Sequence, residues 1–327
     1  MTKILFVLLL LIFFSFHSFS QNNYDKEIAA GYKGGVIKNI QRLDSSLNFC
    51  VIGDWGRHGE FYQKAVADKL ADAIAGIGAS FIISTGDNLY PNGVVSEYDP
   101  SWQSSFENVY ARHETHVNWY VALGNHDYKS NPDAEVAYSK ISQRWNMPAR
   151  YFSIKKRIGK DTTKTAEFFF IDTSPFEKDY YSDEDYEKEV RTADTTAQKK
   201  WLINALKKST ATWKFMVGHH PLYSAGMRKG KLQDFINSFQ NIFEKYKVDA
   251  YFCGHEHQLE YDEPNGLHFK QFISGAGSEA RPVTSAPYTK FTAQDYGFLT
   301  VSLTEKELLF QFIDFDGKIL YTNKLKK

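Results

Sequence analysis

Cysteine is nearly absent: Cys50 and Cys253 are the only two in 327 residues, each inside an apolar run. Two thiols cannot make the disulfide framework of a small secreted module, nor the paired thiolates of a structural zinc site. Buried cysteine behaves as a small hydrophobe. Two free buried thiols are therefore expected, with a bridge left open should their strands prove neighbours. Neither sign of charge is in surplus, with 39 Lys and Arg against 39 Asp and Glu. That excludes the basic footprint of a nucleic-acid binder and the acidic excess of a disordered tail. There is no Asn-x-Ser/Thr sequon and no internal repeat. Past the N-terminus no apolar run is long enough to span a bilayer, so no stable membrane insertion is expected.

The N-terminus itself is apolar from residue 4 to 16, broken only by Ser15, after a single Lys3; Ser18 and Ser20 supply small residues ahead of Gln21. The run is too short for a membrane span and reads as a signal peptide over residues 1–20, hence a secreted or periplasmic protein. No Cys follows it to take a lipid anchor. Residues 21–46 read as a loose lead-in, and residues 47–327 as one domain with no linker that would divide it.

Five short polar blocks are present within that domain. Gly53-Asp54-Trp55-Gly56, Gly86-Asp87-Asn88-Leu89-Tyr90, Gly124-Asn125-His126-Asp127, Gly218-His219-His220 and Gly254-His255-Glu256-His257 each follow an apolar, β-rich run. Strand, then Gly, then carboxylate or imidazole places ligands at the ends of adjacent strands, where open α/β sheets build their sites. Apolar periodicity predicts strands at 47–53, 81–84, 117–123, 151–158, 166–171, 213–217, 250–253, 267–272, 298–303 and 307–315, with Gly317 marking a turn. Helices are predicted over 61–77, 98–110, 135–145, 196–208 and 232–246. Residues 177–194 carry eight acids and three bases with little periodicity, and read as an exposed, solvated loop with a lid as the second reading. The expected fold is α/β, or α+β by some schemes: two β-rich halves face to face with helices on both outer faces.

Two ions held roughly 3.5–4 Å apart need a bridging anion, a role that suits a carboxylate at a strand end. Asp87 is the best candidate. Imidazole and carboxylate donors suit iron, zinc or manganese. Asn125 offers a neutral amide oxygen, and His126 beside it is free to face substrate. A turn at Gly254 would let His255 and His257 reach one ion each. Taken singly, Asp54, Asp87 and Asn125 could be turn residues; the order of five blocks carries the reading. His220 is expected to pack or line the pocket rather than ligate, and Asp127 and Glu256 to orient ligands or form turns.

These blocks resemble the calcineurin-like metallophosphoesterase superfamily, and more narrowly the purple acid phosphatases of the small, tartrate-resistant type. Tyr90 together with Gly56 carries the narrower resemblance, because most of the superfamily has His at the second place. The resemblance implies a four-layer β-sandwich and a binuclear centre. Asp54, Asp87, Tyr90 and His257 would hold Fe(III); Asp87, Asn125, His219 and His255 would hold a second divalent ion, Fe, Zn or Mn. It implies an exported acid phosphatase that hydrolyses phosphate monoesters by in-line attack of a metal-bound hydroxide. Small phosphate esters or phosphoproteins would be the partners, and His126 would contact phosphate or protonate the leaving alcohol. One departure stands out. Where the family often has a second substrate-side histidine, this chain has Arg228, which binds phosphate but is no acid near neutral pH. Rival readings are a phosphodiesterase or nucleotide pyrophosphatase, and a non-catalytic secreted metal-binding protein on the same scaffold.

Overall fold

The computed structural model describes residues 37–327. The expected signal peptide and the first part of the lead-in lie outside the described residues. The described body takes in the rest of the lead-in: Ile37 is 3% exposed within the core, and the Leu43 amide donates to Ser302 Oγ at 2.8 Å.

Strands form where β-branched and aromatic residues run together. The first sheet contains β1 (Leu47–Ile52), β2 (Phe81–Ser84), β3 (Asn118–Val121), β4 (Trp145–Asn146), β12 (Gly297–Leu303), β13 (Glu307–Asp314) and β14 (Ile319–Lys326), in the order β14-β13-β12-β1-β2-β3-β4. The second contains β5 (Phe152–Arg157), β6 (Thr165–Phe170), β7 (Trp213–Val217), β8 (Ala250–Cys253), β9 (Leu259–Asp262), β10 (Lys270–Ser274) and β11 (Thr289–Ala293), in the order β11-β9-β10-β8-β7-β6-β5. Strands β1 to β4 run parallel, as do β6, β7, β8 and β10, so their carboxyl ends lie on one edge of each sheet.

The sheets meet through aromatic side chains. Phe49 on β1 touches Phe168 and Phe252 at ring-centroid distances of 5.3 and 5.9 Å, and Phe310 touches Tyr261 and Phe272 at 4.8 Å each. Helix α1 (Gln63–Ile77) buries Val66, Leu70 and Ile74 in the same core and stops at Gly78, whose φ of 65° only glycine adopts cheaply. A second core on the outer face of the second sheet takes Leu202 and Leu206 of α3 (Thr195–Lys208) with Phe235, Phe239 and Phe243. Helix, sheet, sheet, helix is the four-layer arrangement expected.

The local differences have physical causes. The helix expected over 135–145 is α2 (Pro132–Tyr138) alone, because Trp145 leaves it to pair with Trp119 of β3 and to donate its indole N–H to the Glu135 carbonyl at 2.9 Å. The helix expected over 98–110 is one wide turn, Trp102–Glu107, with Trp102 stacked on Tyr138 at 3.6 Å. That expected over 232–246 is three short pieces, Gln233–Phe235, Ile236–Gln240 and Asn241–Lys245. Strands β9, β11 and β14 were not expected: β9 is half acidic, and β11 and β14 lie at sheet edges where no residue is fully buried. Cys50 and Cys253 are buried and unbridged, on strands of different sheets.

Candidate metal centre

Every block sits just past the carboxyl end of a parallel strand: Asp54 after β1, Asp87 and Tyr90 after β2, Asn125 and His126 after β3, His219 after β7, His255 and His257 after β8. Asp54, Asp87 and His255 share a backbone signature, with φ values of 58°, 50° and 69°. For non-glycine residues this left-handed conformation costs about 1–2 kcal/mol each. It turns the chain sharply out of the strand so that each side chain points back across the sheet edge. The glycines before them permit close approach: a Cβ on Gly254 would strike Asp54 Oδ2, and one on Gly124 would strike Asp87 Oδ1.

Two groups of four donor atoms result. Tyr90 Oη lies 3.2 Å from Asp54 Oδ1, 2.9 Å from Asp87 Oδ2 and 3.2 Å from His257 Nε2. His255 Nδ1 lies 2.9 Å from Asn125 Oδ1 and 3.1 Å from His219 Nε2; His219 Nε2 lies 3.2 Å from Asn125 Oδ1 and 3.4 Å from Asp87 Oδ1. Asp87 belongs to both groups, with one oxygen in each.

The protons do not suffice for these contacts. His219 Nδ1 is 3.0 Å from the Thr85 carbonyl, an acceptor only, so Nδ1 carries the hydrogen and neutral His219 presents a bare Nε2. That lone pair meets the oxygens of Asn125 and Asp87 and a second imidazole nitrogen. Tyr90 has one hydrogen to share among two carboxylates and a ring nitrogen. Converging lone pairs are what a cation resolves, and the donor set of carboxylate, phenol, amide and imidazole fits hard or borderline divalent and trivalent ions.

Titration follows the same crowding. Burial pushes Asp54 up to about 8, with the Asp87 charge adding to it against His219. Burial would raise Asp87 too, yet the imidazoles of His219 and His126 carry it below the usual carboxylate range. Burial would lower His219, but Asp87 lifts it to about 9. Burial holds His257 down to about 4, and holds His255 and His220 well below 6.5. Burial, with Asp87 and Asp54, raises Tyr90 well above 10. Without a cation the site therefore retains protons on Asp54, Tyr90 and His219, which ions would displace on binding.

The surrounding side chains brace both groups. Asp127 accepts from the backbone N–H of Asn88 at 3.0 Å and of Gly124 at 2.8 Å, tying the Asp87 and Asn125 turns together. Glu256 accepts from the amides of Met227 and Arg228 at 3.0 Å each. Arg228 does not join either group; its guanidinium rests 3.4 Å from Glu256 Oε1 and from the His255 carbonyl, at the rim. His126 is outside both groups as well. Its Nδ1 donates to the Pro91 carbonyl at 2.5 Å, leaving Nε2 free, 4.0 Å from Asp87 Oδ2. His220 comes near enough to His219 and His255 to form a third imidazole donor, but hydroxyls occupy both its nitrogens: Thr173 at 2.8 Å and Tyr180 at 3.1 Å.

Sequence reasoning missed four contributors. Residues 177–194 are more than a solvated loop. Tyr180 and Tyr186 stack at 4.3 Å and reach inward, Tyr180 to His220 and Tyr186 accepting from Asn125 Nδ2 at 3.1 Å. The second contact fixes which end of the Asn125 amide faces the imidazoles. Three tyrosines among the acids at 180–186 were the available signal. Glu279, 3.2 Å from His257 Nδ1, and Arg57, over the Tyr90 ring, had none.

A fold with two mixed sheets, parallel strands ending on a shared edge and a two-part oxygen and nitrogen site defines the class. Residues 47–259 match the calcineurin-like phosphoesterase family, and the chain belongs to it. Within it the chain is a purple acid phosphatase by family. It is 34% identical over 314 residues to purple acid phosphatase 7 of Arabidopsis thaliana, covering 90% of this chain and 92% of that one. It is 33% identical over 303 residues to tartrate-resistant acid phosphatase type 5 of Oryctolagus cuniculus, covering 86% and 91%. The solved structure of GAP50, the anchor in the inner membrane complex of Plasmodium, superimposes with a TM-score of 0.75 at 25% identity, covering 86% and 89%.

Proposed function

We propose that this chain is an exported acid phosphatase that hydrolyses phosphate monoesters at a binuclear centre of Fe(III) with a divalent iron, zinc or manganese ion. One observation carries the reading: two four-donor groups share Asp87, and a tyrosine stands in only one of them. Asp54, Asp87, Tyr90 and His257 would hold the trivalent ion, since phenolate and carboxylate oxygens are hard donors; Asp87, Asn125, His219 and His255 would hold the divalent one. When bound, the pair supplies Lewis acidity, which activates water at acid pH and offsets charge on the phosphoryl group. Export rests on the apolar N-terminal run and its small-residue end alone.

The chain's own groups then have separate tasks. The Pro91 carbonyl holds the hydrogen on His126 Nδ1, so Nε2 faces the site and can meet a phosphoryl oxygen or hand a proton to the leaving alcohol. The Tyr180–Tyr186 stack closes one side of the site and limits water there. Arg228 gives the rim a fixed positive charge for an incoming phosphate.

A visible absorption spectrum with metal analysis of the same sample tests this. A broad mid-visible band, two metals per chain including iron, and loss of the band in Tyr90→Phe are expected. A colourless protein with two zinc or manganese ions would remove the Fe(III) assignment. Faster turnover of diesters or nucleotide pyrophosphates than of monoesters would replace the substrate class.

A further inference from the structure

Arg57 lies one residue past the first block, with its guanidinium carbon 3.8 Å from the Tyr90 ring centroid and 5.0 Å from that of Phe61. Two aromatic faces thus hold it. Its Nη2 is 2.7 Å from Glu279 Oε2, its Nε donates to Ser278 Oγ at 3.1 Å, and its backbone N–H donates to Gln63 Oε1 at 2.9 Å. The same Glu279 oxygen is 3.2 Å from His257 Nδ1, at an angle short of a straight hydrogen bond. Arg281 adds a longer contact to it at 3.5 Å. The Arg57 side chain is 15% exposed and that of Glu279 32%, so the pairing is shielded from water on the arginine side and partly open on the other. Phe61 completes the stack from a left-handed backbone, φ 55°, which is costly for a bulky residue, and its ring is otherwise 65% exposed.

We propose that Arg57 and Glu279 form a single charge clamp that positions Tyr90 and His257 and sets how strongly each donates to the ion between them. The clamp rests on the metal assignment above. A guanidinium over an aromatic face draws on the ring's electron density, so Arg57 makes the Tyr90 oxygen a weaker donor. A carboxylate against the far nitrogen of a ligating imidazole fixes the ring and makes the near nitrogen a stronger donor. The Arg57–Glu279 ion pair couples these two opposed effects; the Arg228–Glu256 pair touches only the backbone carbonyl of His255, and among the described residues no such pair meets the imidazole of His219 or His255. Both are positioning residues, since neither reaches the space between the donor groups.

The test compares wild type, Arg57→Met and Glu279→Gln, each loaded with iron, by visible spectrum and by the rate at which a chelator strips each ion. Arg57→Met is expected to move the tyrosine-to-iron band to longer wavelength, because the phenolate becomes the stronger donor. Glu279→Gln is expected to weaken retention of the ion at Tyr90 about 10- to 100-fold, with the ion at His219 and His255 released at the wild-type rate. Should Arg57→Met fail to fold, Arg57→Lys, which keeps the charge but loses the planar stack, takes its place with a smaller shift in the same direction. Folded variants with an unmoved band and wild-type release of both ions would overturn the clamp while leaving the purple centre intact. A colourless wild type holding zinc would defeat the iron assignment instead. The clamp is then decided by zinc release from Glu279→Gln: selective loss of one ion supports it, and equal loss of both overturns it.

Discussion

Two clusters of buried acids, one at the strand ends of the first sheet and one on β9 of the second, are stabilised in different ways. At the strand ends, Asp54 and Asp87 share one phenol and face imidazole nitrogens, with one backbone N–H donating to each. On β9, Glu260 and Asp262 are as fully buried, yet they face donors. The Ala225 amide donates to Glu260 at 2.9 Å, Gln258 Nε2 donates to it as well, and Gln271 Nε2 donates to Asp262 at 3.0 Å. Burial raises both β9 acids, so protons and hydrogen bonds neutralise them. The first cluster has fewer donors than acceptors: the His255 and His126 amides and one phenol hydrogen serve Asp54 and Asp87, and the remaining lone pairs call for cations. Burial of acids alone therefore does not mark a metal site; an excess of acceptors over donors does.

Removing the shared ligand breaks the comparison most severely. Asp87→Asn should strip both ions and lower phosphatase activity by roughly 10³-fold or more, the scale on which loss of preorganised charge stabilisation acts. Metal analysis beside the activity assay checks it; a variant that keeps two ions would mean Asp87 is not shared. Glu260→Ala should do the converse. It leaves the Ala225 amide without a partner and Gln258 Nε2 with only a 3.5 Å contact to Ser224 Oγ, about 1–3 kcal/mol for each weakened group, so denaturant unfolding should show a loss of roughly 3 kcal/mol. Metal content should be unchanged. Loss of metal with stability intact would place β9 in the site rather than behind it.

The two clusters were unequally legible in the chain. Asp54, Asp87, Asn125, His219 and His255 could be read because each follows an apolar run and a glycine, and five such blocks repeat the pattern. The glycine is forced by close packing, as at Gly124 against Asp87. Strand β9 was invisible for the opposite reason. Leu259-Glu260-Tyr261-Asp262 shows polar–apolar alternation, which ordinarily means one wet face, whereas all four residues are buried. The Ala225 amide and Gln271, supplied from elsewhere, join Gln258 just ahead of the strand in making those acids tolerable, and partners brought by tertiary packing leave no local mark. The same holds for Glu279, which follows His257 by 22 residues, and for Tyr186, whose acidic surroundings read as solvated. Breaks in the helices at Tyr138 and Ile236 likewise reflect packing of Trp145 and Phe239 rather than propensity.

Asp172 sharpens the comparison, with the smallest effect. It sits past β6, is 1% exposed and accepts from Tyr128 Oη, while Arg150 Nη1 donates to that same hydroxyl at 3.2 Å. Burial raises its carboxyl to about 7 against the opposing effects of Tyr128 and Arg150. In the unfolded chain the group titrates near 3.9, so between those values the folded state binds more protons. Stability then falls as pH rises, with the contribution complete below about pH 4 and gone above about pH 7. Between pH 5 and pH 7.5 the loss is on the order of 2 kcal/mol, at 1.36 kcal/mol per unit. Asp172→Asn removes the titration while keeping an oxygen for Tyr128, so its unfolding free energy should be flatter across that range and exceed that of the wild type at pH 7.5. Chelator-treated protein is the right sample, since ions at the strand ends would add a pH dependence of opposite sign by competing with protons. A variant with the wild-type slope would show that Asp172 is ionised when folded, and that Arg150 reaches it as a counter-charge in the way the strand-end acids need a metal.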